Sequence, residues 1–282
     1  MKLTEVIRNV SPAVVAFGSR LVPSGTSATP GFPLIIGTGF IVDERGLVLT
    51  NQHVIDAIAQ VPKHARFVML FPEPVNQDGQ TMFGVLLRQI LAINSISSFE
   101  SSGPYFGEAT PDFGFVQIGL QALPAIEICG DSHVLEVGLE VATLGFPMGD
   151  VPLTPYDQGK ASQVSAFARR GIISSVLPCA CADPHGFSID ILSEGGASGS
   201  PIFRTDDPRA VGILHAGFKG APITYAVPGH FLRTGLELVR KEWHPDLTGI
   251  PTLMEVVVQE RSRGSREFDW TVLKIPRDHS DT

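Results

Sequence analysis

The chain has 282 residues, of which 43% are hydrophobic and 18% charged, a balance that suits one large or two small domains with buried cores and leaves little room for long disordered stretches. Its formal charge of −8 argues against sequence-independent nucleic-acid binding, which needs clustered Lys and Arg. No stretch approaches the ~20 apolar residues of a membrane span, and the opening segment, interrupted by Arg8, does not read as a signal peptide.

The segment from Ser11 to Phe17 reads as a first strand after a short helix or arm. The apolar, β-branched runs Leu34 to Val42 and Leu47 to Thr50 flank Asp43-Glu44-Arg45-Gly46, which is a hairpin signal. Arg66 to Phe71 and Thr81 to Leu87 read as two more strands. Residues 92 to 110, rich in Ser and Gly, read as a long surface loop. Strand character returns at Asp112 to Leu120, Glu140 to Leu144, Gly171 to Val176 and Phe187 to Leu192. It continues at Pro201 to Phe203, Ala210 to Leu214 and Thr224 to Val227. His230 to Trp243 carries Phe231, Leu232, Leu236, Val239 and Trp243 close to helical spacing and is expected to be a helix. Beyond it, Met254 to Val258 and Phe268 to Ile275 read as strands around an Arg261–Arg266 turn, a tail hairpin too short for a PDZ domain. Many short strands, punctuated by 29 Gly and 22 Pro, predict an all-β chain built as barrels or a sandwich.

Cys129, Cys179 and Cys181 are odd in number, and Cys179-x-Cys181 has neither zinc-knuckle nor redox spacing, so three reduced thiols are expected. With no leader or span in view, the expected location is cytoplasmic. No spacing among Asp150, Asp157, Asp183 and His185 suits a metal, and no cofactor is implied.

Three segments carry chemistry. Leu49-Thr-Asn-Gln-His53-Val places a histidine after a strand, Pro111-Asp112-Phe-Gly-Phe-Val places an acid before one, and Gly195-Gly-Ala-Ser198-Gly-Ser-Pro201 places a serine among glycines. A serine hydroxyl is a poor nucleophile until a neighbouring base takes its proton, and that base needs a third group to fix its tautomer. Histidine suits the base and a buried carboxylate the third role. Singly, each residue has a bland explanation as a turn, cap or loop position. Together, in the order His53, Asp112, Ser198, they are expected to act as base, orienter and nucleophile. Glycines beside Ser198 let backbone N–H groups approach a carbonyl, and those of Gly196 and Ser198 are the oxyanion-hole candidates.

These motifs resemble the trypsin-like serine peptidases, and within them the bacterial HtrA/Deg branch. The resemblance covers residues 8 to 240 and includes Ser11-Pro-Ala-Val-Val, Gly37-Thr-Gly-Phe-Ile and Leu144-Gly-Phe-Pro-Met-Gly149. It also includes Gly171-Ile-Ile-Ser, Ser198-Gly-Ser-Pro-Ile and Tyr225-Ala-Val-Pro228. It implies a chymotrypsin-like all-β fold of two six-stranded antiparallel barrels with a C-terminal helix. The domains expected are 1–120 with His53 and Asp112, 121–245 with Ser198 and the helix, and a 246–282 tail. It also implies an endopeptidase acting through an acyl-enzyme on peptide or protein substrates. By the family's layout the specificity pocket is lined by Leu192, His215, Ala216, Gly217 and Ile223, which carry no acid and favour small or medium apolar side chains.

The chain departs from the family at Ala197, where zymogen-activated relatives have an Asp that pairs with a freshly cut N-terminus and the HtrA branch usually has Asn. Activation by such cleavage is therefore not expected. Alternatives stay open: a peptidase-like binding module with suppressed catalysis, a protease that needs an activating protein partner, or a hydrolase of small esters. Asp190 and Asp56 are rival acids, and Arg261, Arg263 and Arg266 form a basic turn read as a solvated tip.

Overall fold

The computed structural model describes residues 1–21, 34–71, 75–77, 80–82, 86–95, 111–147, 154–156, 159–161, 166–179, 181, 183–217, 221–263 and 274–275. Helix α1 (Leu3–Val10) buries Val6 and Val10 and leads through a short 3-10 turn into strand β1 (Val14–Ser19). Five further strands complete a closed antiparallel barrel: β2 (Leu34–Asp43), β3 (Leu47–Thr50), β4 (Arg66–Leu70), β5 (Leu86–Ser95) and β6 (Gly114–Ile118). Around the barrel the order is β1-β2-β3-β6-β5-β4. Every residue of β1, β3 and β6 is buried. Their apolar runs lack the alternation of a strand with one wet face because both faces are covered.

A second closed barrel holds β7 (Glu140–Gly145), β8 (Phe167–Leu177), β9 (Gly186–Ile189), β10 (Pro201–Arg204), β11 (Asp207–Gly217) and β12 (Thr224–Pro228). Its order, β8-β9-β12-β11-β10-β7, repeats the first. Helix α3 (Gly229–Glu242) follows. Its Phe231, Leu232 and Leu236 join the core of the first barrel. Arg240 donates to Asp43 Oδ2 (2.9 Å) and to the Val42 carbonyl (3.3 Å) at the end of β2. The chain end of the second barrel thus pins it to the first, and the expected two-barrel architecture with a C-terminal helix is the architecture found.

Three local expectations change. Residues 92 to 95 continue β5 rather than open a loop, pairing Ala92 with Gln117 through Ser95 with Gly114; the rest of the 92–110 segment lies outside the described residues. Helix α2 (Gln52–Ala59), which carries His53, was hidden in a stretch read only as a motif. Met254 to Val258 is no strand: it lies in α4 (Leu253–Arg263). The reason is a capping box, in which Glu255 N–H donates to Thr252 Oγ1 (3.2 Å) and Thr252 N–H donates to Glu255 Oε2 (2.8 Å). The expected tail hairpin therefore loses its first strand to a helix. Of its second strand only Lys274–Ile275 is described, and that pairs with residues 81 and 82. Cys129, Cys179 and Cys181 are all free thiols.

Candidate active site

His53 occupies the first turn of α2, immediately after β3, and Asp112 lies just ahead of β6. The pairing of Thr50 with Gly114 aligns the ends of these two strands, so the two side chains emerge side by side. One carboxylate then does two jobs. Asp112 Oδ1 accepts the backbone N–H of His53 (2.9 Å) and so satisfies an orphan donor at the start of α2. Asp112 Oδ2 lies 2.6 Å from His53 Nδ1. Asn51 anchors the loop from below, its Nδ2 donating to the Asp112 carbonyl (2.8 Å). Burial by itself would raise the Asp112 pKa. Hydrogen bonds from His215 and His53, with the charge of His53, outweigh it and hold the carboxyl well below the usual carboxylate range. As an anion it only accepts, so the proton sits on Nδ1 of His53 and leaves Nε2 as the basic nitrogen.

Ser198 stands on the tight loop between β9 and β10. Ala197 N–H donates to the Glu194 carbonyl (3.1 Å) and Ser200 N–H to the Ala197 carbonyl (3.1 Å). Gly196 and Gly199 have φ of 93° and 89°, in the left-handed region. At Gly199 a Cβ would fall 1.9 Å from the Thr38 carbonyl, so glycine is required there on two counts. The Ala197 side chain is buried in the core of the second barrel. Among the described residues, the N–H groups of Gly196 and Ser198 make no hydrogen bond within the protein. The Ser198 hydroxyl donates to the His215 carbonyl (3.3 Å), and no hydrogen bond joins it to His53 among the described residues.

Thr38, fully buried in β2, ties the serine loop to the first barrel. Its N–H donates to the Ser198 carbonyl (2.8 Å), and its Oγ1 donates to the Gly196 carbonyl (2.7 Å). Oγ1 also accepts from Phe146 N–H (3.0 Å), while the Thr38 carbonyl accepts from Thr50 Oγ1 (2.6 Å). Sequence reasoning quoted the Gly37-Thr38-Gly39 run but missed this role. The only signal for it was a threonine among apolar strand residues.

Of the five expected pocket residues, Leu192 lines a small recess beneath the serine loop with Ile191, Ala197, Leu214 and Arg169, while Gly217 packs against Ser193, the next residue after Leu192. Arg169 donates through Nη1 to the Leu192 carbonyl, and its Nη2 lies 3.7 Å from Glu194 Oε2. The His215 imidazole faces the other way, its Nδ1 2.5 Å from Asp112 Oδ2. Of the rival acids, Asp190 accepts from Ile172 N–H (2.6 Å) and Asp56 from Gln52 Nε2 (2.8 Å), so neither competes with Asp112 for His53.

Donor atoms of His53, Asp112 and His215 all lie within 4.8 Å of one another, a set that a divalent ion could use. Yet the 2.5 and 2.6 Å separations at Asp112 Oδ2 are those of charge-assisted hydrogen bonds. Ligands around a tetrahedral zinc sit roughly 3.3 Å apart. The donors fit proton sharing better than coordination.

The profile of the trypsin-like peptidase domain matches residues 37–213, well over half of the chain. This chain belongs to the trypsin-like peptidases. Among curated proteins, this trypsin-like chain is 25% identical over 222 residues to a probable periplasmic serine endoprotease DegP-like of Halomonas elongata, covering 75% of this chain and 37% of that protein. It is likewise 25% identical over 218 residues to the mitochondrial serine protease HTRA2 of Drosophila persimilis, covering 76% and 42%. The chain thus spans about two fifths of the length of these relatives. A serine endoprotease structure from Yersinia pestis matches with a TM-score of 0.52 at 20% identity, over 85% of this chain and 66% of that one. The HtrA-type protease AlgW with tripeptide matches with a TM-score of 0.53 at 20% identity, over 85% and 63%. These neighbours share the double-barrel fold. No helix among the described residues is long and apolar enough to cross a membrane.

Proposed function

We propose that this trypsin-like chain is a serine endopeptidase in which Ser198 is the nucleophile, His53 the general base and Asp112 the group that orients the base. The observation that carries the reading is the Asp112 carboxylate, which caps α2 with one oxygen and accepts the hydrogen bond of His53 Nδ1–H with the other. That arrangement leaves Nε2 to accept the Ser198 proton as Oγ attacks a peptide carbonyl. The collapsing tetrahedral intermediate expels the amine, which takes the proton back from His53, and leaves an acyl-enzyme on Ser198. Water, deprotonated by the same nitrogen, then frees the acid. The N–H groups of Gly196 and Ser198 are the proposed oxyanion hole, and the unengaged state of both supports that role. Domain boundaries near 120 and 245 are part of this reading, and the two closed barrels support them. The recess at Leu192, whose lining includes Ile191, Ala197 and Leu214 and no acid, supports small or medium apolar side chains as substrate. Strongest cleavage after Lys or Arg would exclude that pocket.

One observation favours a second reading, an enzyme that rests switched off until a partner or substrate engages. The Ser198 hydroxyl sits on a main-chain carbonyl rather than on His53. A fluorophosphonate probe separates the readings. Ser198 Oγ forms an O–P bond, fluoride leaves phosphorus, and the hydroxyl proton passes to His53. Labelling of the wild type but not of Ser198→Ala is the expected result. Labelling only in the presence of cell extract selects the switched form, and no labelling under any condition leaves a peptidase-like binding module. The relatives named periplasmic and mitochondrial support a compartment other than the cytoplasm, whereas the free cysteines support a reducing one such as the cytoplasm.

A further inference from the structure

His215 touches both ends of the proposed catalytic set. Its Nδ1 lies 2.5 Å from Asp112 Oδ2, and its carbonyl accepts the Ser198 hydroxyl at 3.3 Å. The placement is built into the strand. In the β11–β12 ladder Leu214 faces Ala226 and Ala216 faces Tyr225, so His215 is the extra residue of a β-bulge. A bulge breaks the in-out alternation and re-aims a side chain. Ile213 and Leu214 are both buried in barrel cores, and His215 swings out between the barrels toward Asp112.

The Asp112 carboxylate is only 8% exposed, so little water reaches it and protein donors must hold its plane. Oδ1 has one, the His53 N–H, and Oδ2 has two imidazoles whose rings lie 6.0 Å apart at 68° to one another. Two donors arriving at that angle fix the carboxylate against rotation, where His53 alone would turn with it. They also divide the negative charge that would otherwise bear on His53 alone. We propose that His215 is a positioning residue for the catalytic set, locking the Asp112 carboxylate through its imidazole N–H while its carbonyl parks the Ser198 hydroxyl. This rests on the triad proposed above, and His215 itself need touch no substrate atom.

The test uses the full chain and fluorophosphonate labelling of Ser198, followed as maximal rate and probe affinity across pH. A wild type that stays unlabelled both alone and with cell extract would sink the peptidase reading whatever His215 does. With a labelled wild type, His215→Leu is expected to lower the maximal rate about 10- to 100-fold with probe affinity unchanged, the loss of one hydrogen bond to a charged group. His215→Asn, whose amide N–H falls near the lost Nδ1–H, is expected to recover most of that rate. In His215→Leu the undivided carboxylate charge holds a proton on His53 more tightly, so the acid limb of the rate profile moves to higher pH; in His215→Asn it stays. Proton NMR gives a readout without activity: two far-downfield imidazole N–H resonances in wild type and one in His215→Asn. Should the leucine protein fail to fold, His215→Ala carries the same expectations. Wild-type rate and pH profile in the leucine or alanine protein, or an asparagine protein as slow as either, would overturn the proposal.

Discussion

Thr38→Val swaps a buried hydroxyl for a methyl of nearly equal volume, so it isolates the polar clamp from packing. The hydroxyl donates to the Gly196 carbonyl at 2.7 Å and accepts from Phe146 N–H at 3.0 Å, in a residue with no exposed surface. The substitution leaves one carbonyl and one N–H unpaired where water does not reach. Each such group costs about 1–3 kcal/mol, so the pair costs roughly 4 kcal/mol at the middle of that range. For a chain of this size that corresponds to a fall of about 8–16 °C in Tm. The freed Gly196 carbonyl also releases the turn that presents Ser198, so fluorophosphonate labelling slows by more than the loss of folded protein explains. Thr38→Ser keeps the hydroxyl and recovers labelling with a smaller fall in Tm. Differential scanning calorimetry and labelling on the same samples make the comparison. A valine protein that melts within 1–2 °C of wild type and labels at its rate would show that Thr38 does not hold the serine loop.

Asp112→Asn is expected to lower the labelling rate by about 10⁴, because an amide can present its own N–H to Nδ1 and favour the wrong imidazole tautomer. Its stability cost depends on pH. The folded Asp112 pKa is depressed, so its contribution is complete above the ordinary carboxylate range and disappears as pH falls toward the folded value. Melting curves of wild type and Asp112→Asn therefore converge well below pH ~4, and a gap that widens on acidification would contradict the assignment. Gly199→Ala places a Cβ 1.9 Å from a buried main-chain carbonyl at a φ of 89°, and is expected to cost upwards of about 4 kcal/mol, read as loss of soluble folded protein. Thr252→Ala removes half of the α4 capping box and should cost about 1 kcal/mol, seen as faster amide exchange over residues 253–259 with the barrels unchanged.

The three residues of the proposed triad were legible because each sits in a local motif. Glycines flank Ser198 since the chain there needs left-handed φ, and His53 and Asp112 fall at the borders of apolar, β-branched runs that can only be strands. The two six-stranded barrels and α3 followed from the family resemblance and from helical spacing around Phe231 and Leu236. Helix α4 was also written locally, in Thr252-x-x-Glu255, but was outweighed by the strand propensity of Val256, Val257 and Val258. What the amino-acid order left undecided is which distant groups meet. Thr38 and Gly196 stand 158 positions apart, and only the docking of one barrel on the other puts a hydroxyl of the first on a carbonyl of the second. His215 and Asp112 stand 103 apart, and a single extra residue in one strand decides whether the imidazole faces the recess or the carboxylate. A bulge moves one side chain to the other face without changing any neighbour's propensity, so periodicity cannot register it. The sequence by itself determined the chemical groups and the strands that carry them; the tertiary structure alone decided that Asp112 serves two histidines and that Thr38 holds the serine loop.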